Sequence, residues 1–149
     1  MVVEVSRPLI SEILVKVNNA KDKPKKIAVL KQYDSPGLRM VLKSSFDPKI
    51  QWRLPTGDVP FKKNDAPAGT EHTRLEQEAR TLFHYIKGGN DKLSSLRRET
   101  MFINILEGLH PLEAEIIVLV KDKDLETKYK ITKEIVSEAY PDITWGGRS

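Results

Sequence analysis

The stretch PLEAEIIVLVKDK, Pro111 to Lys123, decides the fold. Its run from Ile116 to Val120 is apolar on every side and therefore needs neighbours all round. Ile116, Ile117 and Val118 are β-branched, so composition alone would allow a buried strand. Two observations choose a helix. Pro111 and Glu113 sit where a helix entrance favours proline and an acid, and no other stretch offers a partner strand. A central helix predicts an all-α chain.

The neighbouring segments agree. LSSLRRETMFINILEGL, residues 93–109, reads as a helix capped by Ser94 or Ser95, with Leu96, Phe102, Ile103, Leu106 and Leu109 apolar. Before it, Thr73-x-x-Glu76 has the form of a capping box ahead of Leu75, Ala79, Leu82, Phe83 and Ile86, and Gly88-Gly89 ends that helix. At the start, Leu9, Ile10, Ile13, Leu14 and Val17 repeat at helical spacing behind Ser6 and Pro8. Asp22 and Pro24 open a second helix with Ile27 and Leu30 inward. Asp34, Ser35 and Pro36 open a third with Leu38, Val41 and Leu42 inward. Downstream, Thr132 caps a last helix through Ile135, Val136 and Ala139, which Pro141 ends. Short links between short helices predict a compact array of about six to eight helices in a single domain, residues 1–149.

One segment breaks the pattern. FDPKIQWRLPTGDVPFKKNDAPAG, residues 46–69, contains Pro48, Pro55, Pro60 and Pro67 and reads as one long Pro-rich loop. Trp52 and Phe61 either pin this connection to the core or, together with Arg53, present a surface to a partner protein. Loops of this length without helix or strand are uncommon unless they act or are disordered.

Composition excludes several classes. With 149 residues, 39% of them hydrophobic and 31% charged, the chain is expected to be an ordinary soluble domain. No run is long and apolar enough for a membrane span, the first residues lack a signal-peptide pattern, and there is no cysteine for a disulfide framework, thiol catalysis or a thiolate metal site. The expected location is the cytoplasm. His72, His84 and His110 are far apart, Glu113 and Glu115 would point to different helix faces, and neither a glycine-rich phosphate loop nor a nucleophile elbow is present. The reading is therefore no enzyme, no cofactor and no metal. The net charge of +4 is unevenly spread. Residues 1–50 carry 10 Lys+Arg against 5 Asp+Glu, residues 51–100 carry 9 against 7, and residues 101–149 carry 6 against 9. A polyanion should meet the N-terminal part first, although on charge alone Lys21, Lys23, Lys25 and Lys26 are only the solvated side of a loop and helix start.

The order of these signals resembles the N-terminal helical DNA-binding domain of ATP-dependent DNA ligases. ISEILVKVNNAKDKPKKIAVLKQY is similar to the ligase pattern of a helix, a short basic break and a second helix with a lysine pair. LHPLEAEIIVLVKDKDLETKYKITKEIVSEAYPDI is similar to the segment where a Pro-x-Glu-Ala helix leads through an Asp-Leu turn to a capped final helix. The matching positions are Pro111, Glu113, Ala114, Ile117, Asp124, Leu125, Ile131, Thr132, Val136, Ala139 and Pro141. The chain also looks like a group of functionally uncharacterised short proteins of T-even-type phages and cyanophages that share FDP-x-I-x-W-x-LP and LRRE. The ligase resemblance implies contact with duplex-DNA phosphates from two inter-helix turns. Here those turns offer Lys21, Lys23, Lys25 and Lys26, and Lys128, Lys130, Thr132 and Lys133, with Arg97 and Arg98 in support. Where ligases usually carry an arginine and a glycine after the Asp-Leu turn, this chain has Glu126, Thr127 and Lys128. The alternative implied by the same fold is a protein-interaction module that engages a replication or host protein through Trp52, Arg53 and Phe61.

Overall fold

Ile10, Ile13, Leu14 and Val17 share one face at helical spacing, and all four are fully buried along α1 (Ile10–Asn19). The computed structural model describes residues 8–63 and 73–146; Ser6 of the expected entrance lies outside them. Glu12 supplies the first-turn acceptor instead, taking the Leu9 N–H at 2.8 Å. Helix α2 (Lys23–Gln32) starts where Asp22 accepts the Lys25 N–H at 3.0 Å, with Pro24 in the first turn. It is barely amphipathic: Leu30 is buried and Ile27 only partly so. Helix α3 (Pro36–Phe46) begins at Ser35, whose hydroxyl accepts the Leu38 N–H, and it buries Leu38, Val41 and Leu42 as its spacing predicts. The remaining elements are α4 (Leu75–Glu78), a 3-10 helix (Ala79–Tyr85), α5 (Ser95–Gly108), α6 (Pro111–Lys121), α7 (Leu125–Tyr129) and α8 (Lys133–Ala139). The described residues contain no strand, only an isolated antiparallel bridge between Trp52 and Ile86. The fold is an all-α single domain.

The deciding stretch is a helix and it is central. His110 caps α6 by accepting the Leu112 N–H on Nδ1 at 3.1 Å, and Ala114, Ile116, Ile117 and Val120 are fully buried. Helix α6 packs against α1, α3, α5 and α7, while α2 lies outside, between α1 and α8.

Four local expectations need correction. Thr73 and Glu76 do not form a capping box: Arg74 stands at the N-cap of α4 without a side-chain cap, and Glu76 turns away to accept from Ser35 Oγ at 2.8 Å and Gly37 N–H at 2.9 Å at the start of α3. Gly37 is required there, since a Cβ would lie 2.0 Å from the Glu76 carboxylate. The helix after Leu75 tightens to 3-10 geometry, so Ala79, Leu82 and Tyr85, three apart, are buried while Phe83 is left exposed. Leu96 is 75% exposed, because Ser94 caps α5 through the Arg97 N–H and leaves Leu96 in the solvated first turn. Finally, the Asp-Leu turn is the start of the short helix α7, with Leu125 and Tyr129 buried.

The Pro-rich segment follows an irregular path over the described residues 47–63; the rest of it, 64–69, lies outside them. It is strapped down along its length. Trp52 Nε1 donates to Ser44 O at 3.0 Å, Arg53 N–H to Tyr85 O at 2.7 Å, and Lys87 N–H to Gln51 O at 2.8 Å. Lys121, only 2% exposed, holds Pro55 O at 2.7 Å, Gly57 O at 3.1 Å and the Asp122 carboxylate at 2.5 Å. A buried ammonium is stable only with such acceptors around it.

The C-terminal end is tied to the α2–α3 link by Arg39, which bonds Asp34 at 2.6 Å and Asp142 at 2.8 Å beneath the Tyr140 ring. The Arg39 hydrogen bond holds the Asp142 carboxyl below its ordinary value of 3.8. A depressed folded-state pKa adds stability above the unfolded value and loses it as pH falls through the folded one. Asp142 should therefore titrate below exposed carboxylates in a carboxyl NMR titration, and Arg39→Gln should return it toward 3.8.

Candidate nucleic-acid interface

The first basic segment owes its shape to its own side chains. Asp22 caps α2, and Lys26 Nζ donates to Val17 O at 3.0 Å, satisfying a carbonyl at the end of α1. The second segment is shaped by alternation: Tyr129 and Ile131 are buried, so Lys128 and Lys130 are turned outward. Lys130 takes a left-handed conformation, φ 56°, as the C-cap of α7. Thr132 then caps α8 by accepting the Ile135 N–H at 3.2 Å.

These two segments, about a hundred residues apart in the chain, meet. Helices α2 and α8 pack together, and Lys23 at the start of α2 pairs with both Glu134 and Glu138 on α8. The pairing raises the Lys23 pKa, with the Glu134 hydrogen bond the larger cause. Three of the seven predicted lysines are answered by acids, Lys23 among them. Lys25 lies 3.8 Å from Asp22, and Lys128 pairs with Glu115. Lys133 sits 5.0 Å over the Trp145 ring. Lys21 and Lys130 are exposed and have no ion-pair partner among the described residues. The face thus carries Lys21, Lys26, Lys130 and Lys133 as cations outside any ion pair among those residues, in a setting that also contains Glu134, Glu138 and Asp22.

Arg97 and Arg98 do not join this face. Their helix, α5, packs on α6 and the 3-10 helix. Arg97 is exposed there, whereas Arg98 is 1% exposed and donates to His84 O at 2.9 Å, Asn90 O at 3.0 Å and Leu93 O at 2.9 Å. Arg98 is a core brace, buried against three carbonyls and so withdrawn from any phosphate surface.

The residues assigned to a partner site are also engaged internally. Trp52 is half-buried with its indole N–H bonded, Arg53 pairs with Asp91 at 2.8 Å, and Phe61 lies partly buried against the core. Trp52 is thus an anchor of the strap.

Two groups with no place in the sequence reading of the site organise the structure around it. Glu113, fully buried, accepts the Ile10 N–H at 2.8 Å and the Leu75 N–H at 3.0 Å, capping α1 and α4 from a third helix. Lys121 does the same for the strap. Their signal in sequence is a charged residue on the inward face of the most apolar helix. Among the described residues no three His, Asp or Glu side chains gather as metal ligands, and no helix is long and apolar enough to cross a membrane.

The chain belongs to a family of unknown function, DUF6433, whose model matches residues 13–127. No curated protein matches it. The match spans α2 to α6 and most of α1, and stops inside α7, so α8 and its acids lie beyond it.

Proposed function

We propose, for this member of a family of unknown function, a non-catalytic and mainly sequence-independent role in binding duplex DNA through its phosphates. The observation that carries the reading is the meeting of two basic segments, Lys21–Lys26 and Lys128–Lys133, on the α2–α8 side of the domain. The resemblance to ligase DNA-binding domains supports it. Phosphate contacts position a protein without reading bases, so no sequence preference is expected.

The acids set the strength. With the four lysines of this face that stand outside ion pairs among the described residues, about four phosphates are neutralised, for a slope of log affinity against log salt near −3.6. Affinity then lies in the weak range of non-specific binding, about 10⁻⁴ to 10⁻⁶ M at physiological salt. Lys23 is kept, because its charge becomes available to a phosphate once its acids are removed. Fluorescence anisotropy on intact, nicked and single-stranded DNA should use two variants. Glu134→Gln with Glu138→Gln frees Lys23 and removes two repelling charges, and should tighten duplex binding about tenfold at low salt. Lys21→Glu with Lys130→Glu should weaken it by a similar factor. Absence of salt-dependent binding, or an affinity unmoved by the glutamines, would remove this reading.

A further inference from the structure

The 3-10 turn that expels Phe83 from the core also builds a groove. Its two walls are α3 and the 3-10 helix, and each carries one exposed apolar side chain and one cation three residues away: Met40 and Lys43 on α3, Phe83 and Arg80 opposite. Ile50, Ala79 and Ile86 form a buried apolar floor. Met40 is 41% and Phe83 38% exposed. The groove has a volume of about 440 Å³, and no acidic residue lines it. Neither Lys43 nor Arg80 has an ion-pair partner among the described residues.

We propose that this groove is an interaction surface for an acidic segment of a partner protein, which places apolar side chains against Met40 and Phe83 and carboxylates on Lys43 and Arg80. Charge complementarity selects this occupant. Lys43 and Arg80 flank apolar surface with no acid in the lining and no ion pair among the described residues, so a bound segment brings the acids. A duplex would offer phosphates but nothing for the floor. Methionine adapts its shape to whatever packs on it, and an aromatic opposite it gives a rigid contact. Volume and lining fall within the range of sites that hold small apolar anchors with a few fixed polar groups. The surface is distinct from the α2–α8 face and does not depend on it.

The test is selection from a displayed library of random twelve-residue peptides on the immobilised full chain, followed by anisotropy with labelled winners. Enriched peptides are expected to pair apolar residues with Asp or Glu. Their binding should shift the amide signals of Met40, Phe83 and Ile86, fall at least tenfold in Lys43→Glu with Arg80→Glu, and fall similarly in Phe83→Ser. The charge-reversed variant should instead accept copies of the winners in which each acid is lysine, which guards against a variant that merely misfolds. Enrichment of basic or charge-free peptides, or binding that survives the charge reversal, overturns the proposal. So does concentration-dependent self-association in sedimentation that is abolished by Phe83→Ser, since a second copy would then be the occupant.

Discussion

Replacing Glu113 with alanine is expected to lower the thermal unfolding midpoint by roughly 6–12 °C, the consequence of losing about 3 kcal/mol in a domain of this size. The carboxylate is fully buried and takes the N–H of Ile10 and that of Leu75, the first helical residues of α1 and α4. First-turn N–H groups have no acceptor inside their own helix, and in the interior no water replaces a lost one. Truncation leaves both donors without this acceptor and opens a cavity at the meeting point of three helices. Glu113→Gln keeps one acceptor oxygen and should lose about half as much. The distinguishing readout is amide exchange: faster at both Ile10 and Leu75 in the alanine variant, and at one of them in the glutamine variant. A midpoint unchanged by the alanine substitution would mean that α1 and α4 are held by their apolar faces alone.

Glu113 also marks where sequence reading ends. Caps that act on their own helix were legible: Asp22, Ser35, Ser94 and Thr132 each accept an N–H three residues on, as their residue types predict. Caps that act across the fold were not, because nothing local distinguishes Glu76, which serves α3, from a capping-box glutamate serving α4. The apolar run at Ile116–Val120 was legible as central, since every face of it required burial. The exposed Phe83 was hidden by a change of helical period, as α-spacing pairs it with Ala79, four residues back, whereas 3-10 spacing pairs Ala79 with Leu82 and Tyr85. That error concealed the groove.

The basic face shows a related limit. Its lysines could be found by counting, but the acids that answer them stand elsewhere in the chain: Glu134 and Glu138 opposite Lys23, Glu115 opposite Lys128. A charge profile averaged over fifty residues assigns Glu134 and Glu138 to a different third of the protein from Lys23. Only packing places them beside the lysines, and it is packing that turns a strongly basic segment into a nearly balanced surface.

The doublet Arg97-Arg98 makes the same point within one turn of helix and yields the second large effect. Successive helical residues are about 100° apart, so one faces solvent and the other the core. Arg98→Ala is expected to cost about 3–5 kcal/mol, with three carbonyls each left without this donor at about 1–3 kcal/mol apiece, whereas Arg97→Ala should stay within about 0.5 kcal/mol as an exposed substitution. The guanidinium of Arg98 ties the end of the 3-10 helix at His84 to the turn carbonyls of Asn90 and Leu93, and its charge also depresses the nearby Asp91 carboxyl, behind the Gly88 N–H and Arg53. Lysine cannot replace it, because one ammonium lacks the planar fork that reaches three carbonyls in different directions. Arg98→Lys should therefore recover less than half of the loss on denaturant unfolding. Duplex affinity of Arg97→Ala at fixed salt should change less than twofold, since α5 packs away from α2 and α8. A large loss of affinity in Arg97→Ala with stability intact would instead place the phosphate-contacting surface on α5 and move the interface across the molecule.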